Sequence, residues 1–401
     1  MSWLSIVGIG EDGVDGLGEA AKRAVVNADY VFGGARHLEL ASALSLGESR
    51  PWLTPFSQSI EAILALRGKA VCVLASGDPM HFGVGATLSR QIKTDEITVY
   101  PHPSSFSLAA ARLGWPLQEA VTLSLHGRPI ELLRPHLHAG VRIIALTSDE
   151  HGPAAIAKLL AETGFGLSIV TVLEALGGPE ETMRSHVAMS FALTGINPLN
   201  VVAISVVALP NARILPLTPG LDDSLFEHDG QITKREIRAL SLSALAPRRG
   251  ETLWDIGSGS GSIAIEWMLA DPSLRAIAIE ANPERATRIV NNMLACGVPD
   301  LRLIIDKAPT ALYALEPPNA IFIGGGGTDD GVLETAINTL RPGGRIVVNA
   351  VTLELEALLI SVHSKVGGSL TRIAISRADA VGSMTGWRPA MPITQWAWTK
   401  P

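Results

Sequence analysis

Residues 253–261 read LWDIGSGSG, and this stretch decides the fold of the second half of the chain. An apolar run ends at the acidic Asp255, glycines follow at alternate positions, and SIAIEWML continues with helical spacing. That order predicts a strand, a tight loop that lets a ligand approach the backbone, and a helix whose N-terminus faces the loop. The loop residues expected to contact this ligand are Gly257, Ser258, Gly259, Ser260 and Gly261.

A second acidic residue indicates which ligand the loop binds. Glu280 closes the apolar run AIAIE, and in a parallel sheet its carboxylate lies beside the same crevice, where it can accept hydrogen bonds from two ribose hydroxyls. The spacing is G-x-G-x-G, not the G-x-G-x-x-G of dinucleotide binders, and Asp255 suits an ammonium or sulfonium group better than a pyrophosphate. The pattern therefore predicts an S-adenosylmethionine (SAM) site, with an ordinary Gly-rich turn as the alternative.

The bulk composition describes a compact protein of two or three domains. The 401 residues are 47% apolar and 18% charged, and the net charge is −7 with no conspicuous Lys/Arg run, which argues against a nucleic-acid surface. Cys72 and Cys296 each lie in apolar surroundings and predict buried thiols rather than disulfides or metal ligands. Neither a signal peptide nor a membrane-length apolar run is apparent, so we expect a cytoplasmic protein without membrane contact.

Alternating strand and helix patterns fill the first half and predict a parallel-rich α/β domain, whose ligands bind at the carboxyl ends of strands. The predicted strands are residues 2–9, 29–34, 69–77, 97–100, 121–125, 142–147, 168–173 and 201–207. The first opens into the glycine-rich GIGEDGVDGLG, and the third ends in SGDPMHFGVG.

The motifs GIG, SGDPMHFGVG, PHPSSFSLAAARLGWP and SLHGR, in this order, resemble the tetrapyrrole (corrin and porphyrin) methyltransferases over residues 1–210. The resemblance implies two α/β subdomains with SAM in the cleft between them. The residues that it assigns to this cleft are Gly8, Gly10, Gly77, Asp78, Pro79, Ser104, Ser105 and His126. Many relatives have Gly-Pro-Gly in the first loop where this chain has Gly8-Ile9-Gly10, a change that the subgroup acting late on the corrin ring tolerates.

Several of these residues also have a purely structural interpretation. Asp78 before Pro79 suits a turn or a helix cap, and Asp78 is the one candidate for a catalytic role. Ser104 and Ser105 fit a helix N-terminus, and both interpretations can hold together. His126 and Arg128 fit a solvated loop equally well. Other histidines, His81, His102, His136 and His138, lack the spacing of metal ligands, so no metal site is expected.

A composition change separates the two halves. Residues 208–220 contain three prolines, and two aspartates follow at 222 and 223. We therefore predict a methyltransferase domain at 1–210, a linker at 211–224 and a second domain at 225–401.

The second half has its own resemblance. TKREIR, DIGSGSGSIAIE, ANPE, DKAP, FIGGGG and RPGGRIVVNAVTLE resemble the decarboxylating corrin methyltransferase domain, a Rossmann-like SAM-dependent fold, over residues 225–400. The resemblance assigns SAM contacts to Thr233, the glycine loop, Glu280 and the pair Asp306 and Ala308. Thr233, with Glu236 three residues later, also fits a helix-capping box. The glycines at 324–327 predict close approach of a ligand, and we assign Gly324, Gly325 and Gly326 to the substrate side, with a flexible connector as the alternative.

Together the two resemblances imply a two-headed, SAM-dependent C-methyltransferase of cobalamin biosynthesis, with one SAM site per domain. Such an enzyme methylates two opposite meso carbons of a tetrapyrrole, carbon 5 in the N-terminal half and carbon 15 in the C-terminal half, where an acetate side chain also loses its carboxyl group. Relatives of both halves imply a homo-oligomer, a dimer or a tetramer. The carboxylate-rich substrate calls for basic residues, with Arg128, Arg235, Arg345 and Arg388 as candidates.

Alternatives stay open at this point. The substrate could be a cobalt-containing corrin intermediate or another tetrapyrrole. The C-terminal half could instead bind a nicotinamide dinucleotide, although its glycine spacing and Asp255 argue against that. One half could also have lost its activity and hold intermediates.

Overall fold

The computed structural model describes residues 2–401 and divides into two compact units. The first comprises the chain up to Ile130 together with His136–Arg213, and the second comprises Glu131–Pro135 together with Ile214–Pro401. Within residues 2–401, no helix is long and apolar enough to cross a membrane.

The first unit begins with a parallel five-stranded sheet of order β3-β2-β4-β1-β5. Its strands are β1 (Leu4–Ile9), β2 (Tyr30–Gly33), β3 (Glu48–Pro51), β4 (Val71–Ser76) and β5 (Ile97–Tyr100). Its helices are α1 (Glu19–Val26), α2 (Ala35–Leu40), α3 (Phe56–Leu64) and α4 (Val84–Leu88). Strands β1 and β4 are largely apolar because alternate side chains enter separate cores on the two faces of the sheet.

A mixed five-stranded sheet follows, of order β6-β7-β10-β8-β9, in which only β6 and β7 are parallel. Its strands are β6 (Ala120–Ser124), β7 (Arg142–Leu146), β8 (Ile169–Glu174), β9 (Thr182–Val187) and β10 (Asn200–Ser205). Helices α5 (Ser105–Leu113) and α6 (Gly152–Glu162) belong to this part of the chain. The eight predicted strands are present within two residues of their expected bounds, and β3 and β9 are additional.

The second unit contains a seven-stranded sheet of order β13-β12-β11-β14-β15-β19-β16, in which only β19 runs antiparallel to its neighbours. Its strands are β11 (Thr252–Ile256), β12 (Arg275–Ile279), β13 (Arg302–Ile304), β14 (Ala320–Ile323), β15 (Arg345–Ala350), β16 (Ser369–Ile373) and β19 (Ile393–Thr399). A separate hairpin pairs β17 (Ser376–Val381) with β18 (Met384–Pro389). Its helices are α7 (Arg235–Leu245), α8 (Ser262–Leu269), α9 (Pro283–Ala295), α10 (Val332–Thr339) and α11 (Leu353–Val366).

This strand order creates a crevice at the carboxyl end of β11. The chain winds from β11 to β12 and β13 on one side, and β14 and β15 lie on the other. Ligands of such sheets bind where the winding direction reverses, which here is between β11 and β14.

The predicted capping box at Thr233 is wrong. Helix α7 begins at Arg235, its N-cap position is Lys234, and no side chain caps it. The segment before the helix is held by the buried Arg238, which binds the Thr233 carbonyl as well as the carboxylate of Glu266. Because this guanidinium holds the backbone at Thr233, the helix starts without a capping hydroxyl.

Candidate active site

The glycine loop after β11 has a backbone that other residues rarely adopt. Gly257, Gly259 and Gly261 have φ angles of +68°, +61° and +77°, in the left-handed region. A Cβ at Gly257 would lie 2.5 Å from the carbonyl oxygen of Gly325, so the loops after β11 and β14 pack backbone against backbone. Within the glycines at 324–327, Gly325 therefore serves this close packing of two loops as well as any contact with a ligand.

Asp255 lies at the end of β11 and is 1% exposed. Its Oδ2 accepts hydrogen bonds from the Ser258 hydroxyl at 2.6 Å and from the Ala264 amide at 3.2 Å. Burial raises the pKa of Asp255 to about 6, and the nearby charge of Glu280 acts in the same direction. A cationic ligand group beside Asp255 would stabilise the charged carboxylate, as expected for an ammonium or sulfonium partner.

Glu280 follows β12 and ties this strand end to the glycine loop. One carboxylate oxygen accepts the Gly259 amide at 2.8 Å, and the other accepts the Asn282 amide at 2.8 Å. An ionised carboxylate has about four lone-pair sites, so two acceptor positions are left for ligand hydroxyls. Glu280 is buried and adjoins the cavity described next through Gly259.

A cavity of about 560 Å³ opens at this edge of the sheet. The predicted residues that line it are Thr233, Asp255, Gly257, Ser258, Gly259, Gly324 and Gly325. The sequence analysis missed three cationic residues in its wall, Lys234, Arg285 and Arg377. Lys234 and Arg285 lie within or next to quoted motifs, which is a usable signal, whereas Arg377 comes from the hairpin and had none.

Other candidate residues of the second unit lie outside this lining. Gly261 is the N-cap of α8 and packs against Ile289, while the buried Ser260 hydroxyl has no hydrogen-bond partner among residues 2–401. The remaining candidates outside the lining are Asp306, Ala308 and Gly326.

The arginines proposed for the substrate need correction. Arg345 is 6% exposed, because its guanidinium pairs with Glu251 and donates to the carbonyls of Leu245 and Ala246. It is therefore a structural residue. Arg388 pairs with Asp379 across the hairpin, Arg235 pairs with Asp222, and neither residue lines the cavity.

In the first unit, three strand ends are joined through their backbones. The Gly77 amide after β4 donates to the Ile9 carbonyl of β1, and the Gly77 carbonyl accepts the His102 amide after β5. A Cβ at Gly8 would lie only 1.9 Å from the Gly77 carbonyl oxygen, and Gly77 itself has a φ of +56°. Gly8 thus permits two strand ends to approach each other, and it does not line a cavity.

Two adjacent cavities, of about 530 and 330 Å³, lie at these strand ends and share Ser105 and His126. Gly10 and Gly77 line the larger, and Asp78 and Ser104 line the smaller. Six of the eight residues that the resemblance assigned to the cleft are therefore brought together. Pro79 and Gly8 lie outside the lining, as does Arg128.

The structural interpretations of these residues also hold. Asp78 accepts the Met80 amide at 2.9 Å in a turn, and Ser104 caps α5 by accepting the Ser107 amide at 3.2 Å. The His126 ring lies 3.2 Å from the Thr147 carbonyl.

A cluster that the sequence analysis missed lines the same cavities. His37 on α2 shares its Nε2 with the Ser76 hydroxyl at 2.8 Å and with the Arg36 guanidinium at 2.9 Å. Burial, together with the charge of Arg36, lowers the pKa of His37 to about 4, so this imidazole is neutral at pH 7. His102, expected to be an ordinary loop residue, is buried against Gly10 and lies 3.3 Å from the Asp12 carboxylate.

Comparison with known proteins gives a family for each half and for the whole chain. Residues 4–189 match the tetrapyrrole (corrin/porphyrin) methylases, and residues 224–400 match the precorrin methyltransferase domain. A precorrin-6Y C(5,15)-methyltransferase [decarboxylating] from Sinorhizobium is 60% identical over 99% of this chain and 96% of its own length. The chain belongs to this family. It is an α/β methyltransferase, with a tetrapyrrole-methylase fold followed by a Rossmann-like methyltransferase domain.

Two further relatives match all or part of the chain. The enzyme of the same name from Mycobacterium tuberculosis (strain CDC 1551 / Oshkosh) is 41% identical over 99% of this chain and 100% of its own. A cobalt-precorrin-6B C(15)-methyltransferase (decarboxylating) from Salmonella typhimurium is 34% identical over 40% of this chain and 81% of its own.

Proposed function

We propose that the protein transfers two methyl groups from SAM to carbons 5 and 15 of precorrin-6Y. In the same reaction sequence it removes the carboxyl group of the ring C acetate side chain, giving precorrin-8X. The names of the two full-length relatives support this reaction. The observation that carries the proposal is that each unit has its own glycine-bordered cavity at the carboxyl ends of its strands, built from different motifs.

The residues of the second unit fit SAM in particular. Asp255 is a buried carboxylate with a raised pKa that a sulfonium or ammonium group would stabilise, and Glu280 retains acceptor positions for ribose hydroxyls. SAM supplies a methyl group that is already activated. The protein therefore needs mainly to position the substrate carbon and exclude water.

The three cationic residues of this cavity are suited to a substrate rich in carboxylates. Each is already paired with a carboxylate of the chain: Lys234 with Asp223 at 3.6 Å, Arg285 with Asp229 at 2.8 Å, and Arg377 with Glu236. Substrate side chains would share or replace these partners, so the cations would be held in position before binding.

We assign methylation of carbon 5 to the N-terminal half, and methylation of carbon 15 with decarboxylation to the C-terminal half. The Salmonella typhimurium relative supports this division, because its name covers only the carbon 15 and decarboxylation steps and it matches 40% of this chain. The motifs of residues 225–400 resemble the decarboxylating domain, so the assignment goes to that half. Two SAM sites per chain follow from it.

Mass spectrometry of the product formed from precorrin-6Y and SAM tests the reaction. We expect two added methyl groups and one lost carbon dioxide from the intact chain. Pieces separated between residues 210 and 220 should each add one methyl group, and only the C-terminal piece should release carbon dioxide. An unchanged substrate mass with SAM bound would contradict the proposed substrate and direct the assay to the cobalt-containing corrin.

The same two pieces test the domain limits of 1–210, 211–224 and 225–401. Both should be soluble and folded by circular dichroism, and aggregation of either would argue against these limits.

We further propose that the protein is a cytoplasmic homo-oligomer. The hairpin of β17 and β18 exposes Val381 and Met384 on one face and Trp387, at 77%, on the other, and exposed apolar side chains favour association. Light scattering after size exclusion should give a mass of at least two chains, and a monomer at micromolar concentration would contradict the proposal.

A further inference from the structure

A closed network of polar side chains lies beneath the C-terminal cavity, on the side away from Glu280. Asn349 on β15 lines the cavity and is 6% exposed, and it pairs in register with Gln395 on β19. Its Nδ2 donates to the Ser241 hydroxyl at 2.9 Å, and its Oδ1 accepts from the Gln395 amide at 2.9 Å. Ser241 also accepts from Gln395, at 3.2 Å.

One backbone carbonyl fixes the direction of the whole network. The Ser241 hydroxyl lies 2.8 Å from the Ile237 carbonyl, which can only accept, so this hydroxyl donates its single proton there. Ser241 must then accept from both amides, which turns the Nδ2 of Asn349 toward Ser241 and its Oδ1 toward Gln395. The orientation of the Asn349 amide is thereby determined.

The network leaves one donor of Asn349 unused. A side-chain amide has two N–H groups, and only one is taken by Ser241. No residue within 2–401 accepts the other. Because Asn349 is in the cavity wall, this second N–H is available to an acceptor atom of a bound ligand.

The surroundings of Asn349 are mostly apolar. Val351 lies two residues after Asn349, and Ile393 lies two residues before Gln395. Ile373 on β16 pairs in register with Ile393. All three apolar residues line the cavity. A carboxylate in such surroundings is poorly solvated, which favours loss of its charge as carbon dioxide. A neutral N–H can orient this carboxylate with less stabilisation of its charge than a lysine or arginine would provide.

We propose that Asn349 binds the substrate carboxyl group that is lost, and that Gln395 is its positioning residue. This inference rests on the proposed function. In the step it serves, the bond between the side-chain carbon and the carboxyl carbon breaks and its electron pair enters the conjugated macrocycle. Carbon dioxide leaves, and a proton from water adds to the side-chain carbon. Asn349 holds the carboxyl group while the bond breaks.

The test is the product distribution of the full-length Asn349→Leu variant with precorrin-6Y and SAM. We expect a product that carries both methyl groups but retains the carboxyl group, with the ratio of decarboxylated to carboxylated product at least about tenfold below wild type. SAM affinity and methylation of carbon 5 should be unchanged. A merely structural role would lower all activities of this half together and leave that ratio constant.

Two companion variants complete the design. Gln395→Met removes the donor that orients Asn349 without changing the cavity wall, and it should lower the same ratio by a smaller factor. If a thermal melt shows that Asn349→Leu is not folded, the product ratio of Gln395→Met is the test of the proposal. Asn338→Leu, at an exposed position near the end of α10, is the matched control and should behave as wild type.

The outcomes separate this inference from the proposed function. If wild type neither methylates nor decarboxylates precorrin-6Y, the proposed function fails. If wild type does both and the folded variants keep the wild-type product ratio, or lose SAM binding, the role of Asn349 is overturned.

Discussion

The cavities of the two units border on glycines for different reasons. In the C-terminal unit, two buried carboxylates hold the loop after β11: Asp255 accepts from the Ser258 hydroxyl and from the Ala264 amide in α8, and Glu280 accepts from the Gly259 amide and keeps acceptor positions for a ligand. In the N-terminal unit, the glycines let strand ends approach each other, and Asp78, an acidic residue at that edge, holds a turn. Both sites need close backbone approach, which is tighter at Gly8 (1.9 Å) than at Gly257 (2.5 Å), and the C-terminal site adds buried carboxylates.

This difference predicts which kind of substitution damages which site. A substitution that adds a Cβ where two backbones touch should be most harmful in the N-terminal unit. Loss of a carboxylate should be most harmful in the C-terminal unit. Both methylations occur in one chain under the proposed function, so each serves as the internal control for the other.

Gly8→Ala should have the largest effect. The added Cβ would lie 1.9 Å from the Gly77 carbonyl oxygen and 2.8 Å from the His102 amide, so strand ends β1, β4 and β5 would have to separate. We expect a destabilisation of about 3 kcal/mol and loss of carbon 5 methylation, with carbon 15 methylation retained. Thermal unfolding and product mass measure both effects.

Gly18→Ala is the matched control, because a Cβ there meets nothing within 4 Å. If Gly8→Ala were as stable and as active as this control, backbone approach would not define the N-terminal site.

Glu280→Ala should have the next largest effect. The substitution removes the acceptors of the Gly259 and Asn282 amides together with those left for the ligand. Hydrogen bonds to charged groups contribute about 2 kcal/mol, so SAM affinity at the C-terminal site should fall about thirtyfold. Calorimetry on the full chain should then show one weakened and one unchanged site. Exposed Glu284→Ala is the control, and unchanged affinity in Glu280→Ala would remove the ribose assignment.

The sequence predicts the C-terminal site well because its signals are local and chemical. A strand, alternate glycines and an acidic residue on the next strand define the crevice, and Asp255 and Glu280 both lie at this edge. The prediction for Arg345 was wrong because the sequence motif is the same whether its arginine binds a ligand or pairs with a buried residue of the chain. Its partner Glu251 lies 94 positions away in sequence, which no local pattern reveals.

The features that sequence reasoning missed are edge strands of the sheets and contacts between residues that are far apart in the sequence. Strands β3 and β9 are largely polar, so they lack the apolar runs that revealed the other strands. The Asn349–Gln395 pair joins strands that are consecutive in the sheet but separated by β16 and the hairpin in the chain. Likewise, His37 meets Ser76 only because α2 and the end of β4 converge.

The pH dependence of SAM binding should sharpen the role of charge at the C-terminal site. The folded pKa of Asp255 is raised from 3.8 to about 6, so without ligand the stability of this unit should decline as pH rises between these values. A cation beside Asp255 favours its charged form, so SAM affinity at this site should increase about tenfold from pH 5 to pH 7. Titration calorimetry across this range measures the slope, and Asp255→Asn should abolish it. A flat profile in wild type would mean that no cation contacts Asp255.

Asp78→Ala should have the smallest effect, and it tests whether a carboxylate matters at the N-terminal site. If the N-terminal site depends on backbone shape, this carboxylate matters only through the turn in which it accepts the Met80 amide. Loss of one such bond costs about 0.5–1 kcal/mol, so carbon 5 methylation should slow about two- to fivefold, with carbon 15 methylation unaffected. Exposed Asp95→Ala controls for loss of an acidic residue in this unit. A loss of a hundredfold or more would make Asp78 a catalytic residue, and a loss of both methylations would contradict independent sites.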